Sequence, residues 1–509
     1  MIAEIAWHTH SPIPLLAILQ GVPVFAALLL WRMADNRITF AMAMVCALVE
    51  LSLAATLALF YQPEVTDFQF AEKLVLYGPL VYHAAADGMT VLFILLASFL
   101  VFTAVVYTLV RPFHPMPQFL AMLFWCLASL ITLFATLDLL WYTLVSVIQV
   151  GLAGILIQRW SVALDKEMAT RRFLQFMGLG LLMLLSGTML VGWVYASLTA
   201  TPWTFDLLAL SNRLPSRSVQ SLVFFLLFYG MAVRMPLFPF HGWLPHTTQH
   251  GSVIPALVLL LGAKTGVYGL LRFVFPLVPA AVQQWDGYAV AIATGGIFYA
   301  ALLAMMQQDL RSMIAYAVVC HHGILTIGLF TLTAPAVQGS LLLTINFGLA
   351  AWTLFFMVGV VTLRTHTVQF HRLGGLFDDL PLIAITFFVA GLSIMAMPGF
   401  PGFNGHHLLL EAAIHRFGAL ETIAAALSNV VAAGFLLWSF QRIFMATPAQ
   451  PRSHPVAKAT SAEIFLATLM IVVLLAAGYL SGGWLKMVEN TSTTLTTPYA
   501  HEKEQEDSP

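Results

Sequence analysis

Arg234-Met-Pro-Leu-Phe-Pro-Phe-His241-Gly-Trp-Leu-Pro245 joins two apolar runs, each long enough to cross a bilayer. Arg234 interrupts the first run, and Pro236 and Pro239 follow at once. Each proline lacks an N–H donor and crowds the preceding turn, so the helix is expected to break there. Lys264 then falls near the centre of the next run, residues 253–275. A charge at that depth costs about 2.5–3.5 kcal/mol on the more lenient insertion scale, which makes it a functional candidate. The plainer alternative is a packing cation paired off inside a helix bundle.

Outward from this stretch, composition sets the class. The chain has 509 residues, 60% hydrophobic and 9% charged, with a mean hydropathy of +0.88. A soluble domain is about 25% charged, so this is a polytopic, all-α membrane protein. The net charge of −1 offers nothing to nucleic acid. Cys46, Cys126 and Cys320 all lie in apolar runs with no CxxC, so they read as small hydrophobes and not as disulfides or metal ligands. The first residues lack a basic segment, and the first span is expected to be retained.

Apolar length gives fourteen spans: 13–31, 39–61, 83–110, 118–136, 138–158, 173–199, 219–241, 253–275, 287–306, 312–332, 336–363, 380–417 (broken), 419–444 and 462–487. A short polar loop is expected over 451–461, and the Thr-, Glu- and Asp-rich tail from Glu489 reads as disordered. Loops of about twenty residues leave no room for a soluble catalytic domain, so any such domain belongs to another chain. Odd-numbered loops hold 13 Lys and Arg, against 7 in the even loops and tail. That bias makes the odd loops cytoplasmic and places both termini outside the cytoplasm, in a multi-pass cell inner-membrane protein.

The chain also echoes itself. Met235-Pro-Leu-Phe-Pro239 returns as Met397-Pro-Gly-Phe-Pro401, again inside an apolar span and again beside a polar residue, Arg234 in one copy and His406 in the other. Five spans separate the copies, so the second runs in the opposite orientation. Paired interruptions of this kind point to inverted repeats around a mid-membrane ion pathway.

These residues carry a family resemblance. The Arg234–Pro245 stretch, Gly262-Ala-Lys264-Thr-Gly-Val-Tyr-Gly-Leu-Leu-Arg272-Phe and Gln308-Asp-Leu-Arg-Ser-Met-Ile-Ala-Tyr316 resemble the antiporter-like membrane subunits of respiratory complex I and of Mrp antiporters, nearest to the chain 4 (chain M) branch. Ala396-Met-Pro-Gly-Phe-Pro-Gly-Phe-Asn-Gly405 and Leu373-Gly-Gly-Leu376 extend the likeness, which covers roughly residues 80–445. It implies about fourteen helices in two inverted five-helix repeats, with helices 7 and 12 broken, around a hydrated axis that carries protons. The implied division is 1–116 (helices 1–3), 117–276 (helices 4–8), 277–445 (helices 9–13) and 446–509 (helix 14 and tail).

The resemblance places Lys264, His241 and His321 on a proton pathway with Arg234 beside it, and His406, in Gly405-His406-His407, joins them where the second broken helix ordinarily carries an ionisable Glu or Lys. A buried lysine can be made to release its proton, and histidine titrates near neutrality and relays through water. Two departures stand out. The family pairs a glutamate on the fifth helix with a lysine before the first break; here the motif register from Asp138 puts Val147 at the glutamate, and Arg234 replaces the lysine. Arginine does not deprotonate, so this pair cannot switch as acid and base. Asn346 stands where the eleventh helix usually has a histidine. Arg234 then needs a counter-charge, and Glu50, Asp87, Asp138 and Glu411 are the candidates. Asp87 matches a motif position of structural character.

The implied function is a proton- or Na+-translocating subunit, without cofactor, metal or catalytic site of its own, coupled to other membrane or cytosolic subunits of a complex I-like assembly. One alternative is a membrane subunit of an inorganic-carbon uptake complex driven by the proton-motive force, with a zinc-dependent, carbonic-anhydrase-like cytosolic partner. Another is a transport-inactive anchor. An enzyme using the histidines as metal ligands lacks the necessary HxxxH-plus-carboxylate pattern.

Overall fold

The computed structural model describes residues 4–161, 165–250, 253–447 and 456–506. Helices dominate because backbone groups at membrane depth have only each other to bond with. The N-terminal group is α1 (Leu15–Trp31), α2 (Arg37–Phe60) and α3 (Gly88–Val110). Between α2 and α3 lies a hairpin of β2 (Phe68–Tyr77) and β3 (Leu80–Ala86), with β1 (Glu4–Ala6) parallel to β2 on its other edge. Gly78, at φ +54°, makes the turn before Pro79. The third span expected from residue 83 therefore begins at Gly88, where Asp87 caps α3 by accepting from Thr90 N.

Two five-helix units follow. The first holds α4 (Met116–Ala135), α5 (Leu139–Trp160), α6 (Lys166–Thr199), the short α7 (Leu207–Ser211), the broken pair α8 (Arg217–Arg234) and α9 (Trp243–His250), and α10 (Val253–Gly269). Short helices α11 (Phe275–Leu277) and α12 (Pro279–Gln284) connect to the second. That unit holds α13 (Asp286–Met306), α14 (Leu310–Phe330), α15 (Ala334–Thr365), the broken pair α16 (Pro381–Ile394) and α17 (Pro401–Arg416), and α18 (Ala419–Phe440). The chain closes with α19 (Ser461–Tyr479) and α20 (Ser481–Glu506).

The units match feature by feature. Asp138 and Asp309 cap α5 and α14, accepting from Trp141 N and Ser312 N. Each cap bridges the strand-like segment ahead of a broken helix, Asp138 to Asp206 and Asp309 to Gln369. The long helices α6 and α15 correspond, with 34 and 32 residues. Both α10 and α18 run on into a π-helical segment, Leu270–Val274 and Gln441–Met445. An odd number of crossings per unit inverts the second relative to the first, as the internal echo implied.

Among the described residues, ten helices are long and apolar enough to cross a membrane. The other four of the expected fourteen segments are α1 and α10, of 17 residues each, and the two broken pairs. Two other expectations change. The loop over 451–461 lies in part outside the described residues. The tail from Glu489 is not read as disordered through residue 506: it continues as α20, packed on α3 and α15. Ser481, Val488, Thr491, Ser492, Thr496 and Tyr499 are buried on it, a face written mostly in hydroxyls instead of leucines.

Candidate functional site

At the first break, the carbonyls freed by proline find partners within the protein. Ala232 O accepts from Leu237 N at 2.9 Å, and Val233 O from the Trp243 indole at 3.0 Å. The second break repeats the first bond, with Leu392 O accepting from Met397 N at 3.1 Å. Such non-helical backbone is tolerated at depth only with this kind of satisfaction. Both breaks fall where the prolines placed them.

Arg234 is the last residue of α8 and is 3% exposed. Its guanidinium donates to Thr265 Oγ1 from Nε (3.0 Å) and Nη2 (2.6 Å), and from Nη2 to Gln149 Oε1. Its partners are neutral. Gly266 permits this meeting, because a Cβ there would lie 2.7 Å from Met231 O, so α10 touches α8 backbone to backbone. A cavity of about 20 Å³, enough for a single water, lies between Arg234, Gln149 and Trp243.

None of the four carboxylates expected to balance Arg234 does so. Asp87 pairs with Arg272, Oδ1 accepting from Nη2 at 2.6 Å, while Tyr268 and Thr90 receive the rest of that guanidinium. Asp138 caps α5. Glu411 sits on the exposed surface of α17, 3.9 Å from His407. Glu50 is fully buried on α2 and makes no hydrogen bond among the described residues. Val147 does not face Arg234 either: its side chain is 51% exposed on α5, and Gln149 is the α5 residue that bonds Arg234. Two residues turn a helix by about 200°, so the two positions lie on opposite faces.

Lys264, on α10, is 2% exposed, and its Nζ makes no hydrogen bond among the described residues. It lies 5.6 Å from the centroid of the Phe347 ring on α15. Its stem passes Gly348, where an added Cβ would be in ordinary contact with Lys264 Cε at 3.8 Å. The imidazole of His321, on α14, stacks on the same Phe347 ring at 3.8 Å and 9°. Lys264, His322 and His406 all lie within electrostatic reach of His321. His322 Nδ1 is 2.8 Å from Val318 O, whereas His321 Nε2, His322 Nε2 and His406 Nδ1 have no protein partner.

His406 follows Gly405 at the start of α17. Gly339 and Gly405 press α15 and α17 together: a Cβ on either would approach the other's carbonyl oxygen at 2.6 and 2.8 Å. Asn346 ties the same crossing to the end of α16, donating to Ser393 O at 3.0 Å and accepting from Ser393 Oγ at 2.6 Å. His241 keeps other company, its ring among Phe238, Tyr299 and Tyr316.

The structure therefore gathers Lys264, His321 and His406, sets Arg234 on the residue beside Lys264, and leaves His241 in an aromatic setting. Sequence reasoning missed Gln149, Thr265, His322 and Phe347. Thr143, Ser146 and Gln149 are buried at intervals of three along α5, and that polar stripe was the available signal for Gln149.

Outside the spans, His83 on β3 lies between two carboxylates, Nδ1 2.9 Å from Asp206 Oδ2 and Nε2 2.6 Å from Glu4 Oε2. Lys73 adds a 2.6 Å bond to Asp206. Burial alone would raise the Asp206 carboxyl, but His83 and Lys73 hold it well below the usual carboxylate range.

Two broken helices in inverted units, with buried titratable side chains on the helices packed against them, define a multi-pass membrane protein of the ion-translocating, inverted-repeat class. Residues 139–435 match the NADH:quinone oxidoreductase/Mrp antiporter transmembrane family, and the chain belongs to it. It is 30% identical over 388 residues to NADH-quinone oxidoreductase subunit M of Rickettsia bellii, covering 74% of this chain and 76% of that one. A chain of respiratory complex I from Thermus thermophilus with bound NADH superposes with a TM-score of 0.85 at 25% identity, over 94% of this chain and 99% of that one. The Mrp complex from Dietzia sp. DQ12-45-1b shares the fold, with a TM-score of 0.84 at 17% identity, over 95% and 98% of the two chains.

Proposed function

We propose that this chain translocates protons across a cell inner membrane as one subunit of a complex I-like hetero-oligomer. The observation that carries the reading is the buried Lys264, whose ammonium has no hydrogen-bond partner among the described residues and which shares the Phe347 ring with His321. A buried amine without a carboxylate beside it can give up a proton, and imidazoles can take it up and pass it on. Relatives named as subunits of NADH-quinone oxidoreductase and a fold shared with an Mrp complex support work inside an assembly. On this reading Lys264, His321 and His406 carry the proton, His322 joins them, and Arg234 acts as a fixed charge. Both termini lie on the non-cytoplasmic side, following the bias of basic residues. Redox or other chemistry, where the assembly has any, falls to partner chains.

The test is proton translocation in membrane vesicles carrying the full chain in its assembly. Lys264→Met is expected to abolish uncoupler-sensitive proton movement while leaving the protein inserted. Unchanged movement would overturn the reading.

A further inference from the structure

We propose that Phe347 is the gate between Lys264 and the histidines; this rests on the proton-translocating reading above. One face of its ring is covered by the His321 imidazole at 3.8 Å, nearly parallel. The Lys264 ammonium, 5.6 Å from the same centroid, must reach the ring from another side, because an imidazole already fills that face. The ring thus stands between two groups that each hold an unpartnered nitrogen.

A benzene ring has no donor or acceptor able to relay a proton, whereas an unbroken hydrogen-bonded chain is what proton passage needs. Apolar constrictions close such chains by excluding water. The ring also interacts with both stations. Its face attracts an ammonium, and a protonated imidazole stacked on it is a cation at the same ring. Two cations on one ring would repel each other, so the arrangement favours one proton at a time in this pair.

A water site adjoins the ring. A cavity of about 20 Å³ beside Phe347, room for one water, is lined by His321, Ser428 and Asn429 and by apolar side chains that include Ile324 and Phe435. A displacement of the Phe347 ring, with its apolar neighbours giving way, would let water from this site join Nζ of Lys264 to Nε2 of His321.

Proton leak through vesicles holding the complete assembly and a trapped pH-sensitive dye tests this. Phe347→Ala is expected to speed passive proton decay about tenfold, and Phe347→Leu, which keeps the core filled, about threefold. Phe347→Ala combined with Lys264→Met should return the decay to the wild-type rate, a rescue that loosened packing alone would not give. Should the alanine variant fail to insert, the leucine variant decides. Wild-type decay in the inserted Phe347 variants, with coupled transport lost in Lys264→Met, would overturn the gate alone. Coupled transport unchanged in Lys264→Met would instead remove the proton-translocating reading on which the gate depends.

Discussion

At the first break a guanidinium is tied to Gln149 and Thr265, both neutral; behind the second break stand imidazoles that each keep one nitrogen without a partner among the described residues. The backbone frames are nearly the same, down to the bond from Leu237 to Ala232 and its counterpart from Met397 to Leu392. What differs is whether the side chain at the break can change charge. Arg234 is always a cation, so the first half supplies a constant field. The second half holds groups that titrate around neutrality as a class. The same contrast recurs at the caps. Asp206 is locked to Lys73 and His83, while Gln369, which takes its place opposite Asp309, is an exposed neutral residue. One frame therefore holds a fixed half and a variable half, with Lys264 where they meet.

Four measurements can break or sharpen that contrast. The largest effect should be at the junction: Lys264→Met and Lys264→Arg each lower coupled proton transport by about 10²-fold or more, because neither side chain can exchange the proton. Wild-type transport by the arginine variant would mean that the charge, and not the proton, matters there. Next, His321→Ala and His406→Ala should each cost about tenfold, and more than His241→Ala, which removes a ring from an aromatic cluster. Equal losses at all three would erase the distinction between the gathered and the separate histidines.

Gln149→Glu makes Arg234 half of a buried ion pair. Thermal stability in detergent should rise, and transport should fall about tenfold as the fixed field is cancelled. Transport at the wild-type rate would leave Arg234 a purely structural cation. The smallest effect is outside the membrane. Asp206→Asn should destabilise the protein by about 1.5–3 kcal/mol at neutral pH, the range for hydrogen bonds to charged groups, while Gln369→Ala stays within about 0.5 kcal/mol. Because the Asp206 carboxyl is depressed in the fold, its contribution is present above the unfolded value of about 4. It is lost as pH falls through the lower folded value. The gap between wild type and Asp206→Asn should therefore close on acidification, and a gap that widens in acid would refute the latch.

Much of this was legible because proline and buried charge are loud signals in an apolar chain. Pro236, Pro239, Pro398 and Pro401 placed both breaks, and Lys264 declared itself by depth alone. The hairpin over 68–86 was not recovered, although Gly78-Pro79 sits between its strands, since the apolar run through β3 continues into α3 and hides the boundary. Gln149 was lost to a register borrowed from Asp138, when the stripe of Thr143, Ser146 and Gln149 would have turned α5 correctly. The counter-charge of Arg234 was sought among carboxylates because a buried cation calls for one. The fold answers with an amide, a hydroxyl and desolvated surroundings instead, a solution that leaves no acidic residue to find.

The terminal helix carries a mechanical consequence. Along its length α20 is fastened to the start of α3, where Gly88 N donates to Thr491 Oγ1 at 3.2 Å, and to the end of the first unit, where Tyr499 donates to Phe275 O at 2.8 Å. At its beginning Ser481 Oγ accepts from Asn404 of the second broken helix at 2.7 Å. Pinned at three points to α3, to the connection between the units and to the second broken helix, α20 acts as a strap that opposes rocking of one unit against the other.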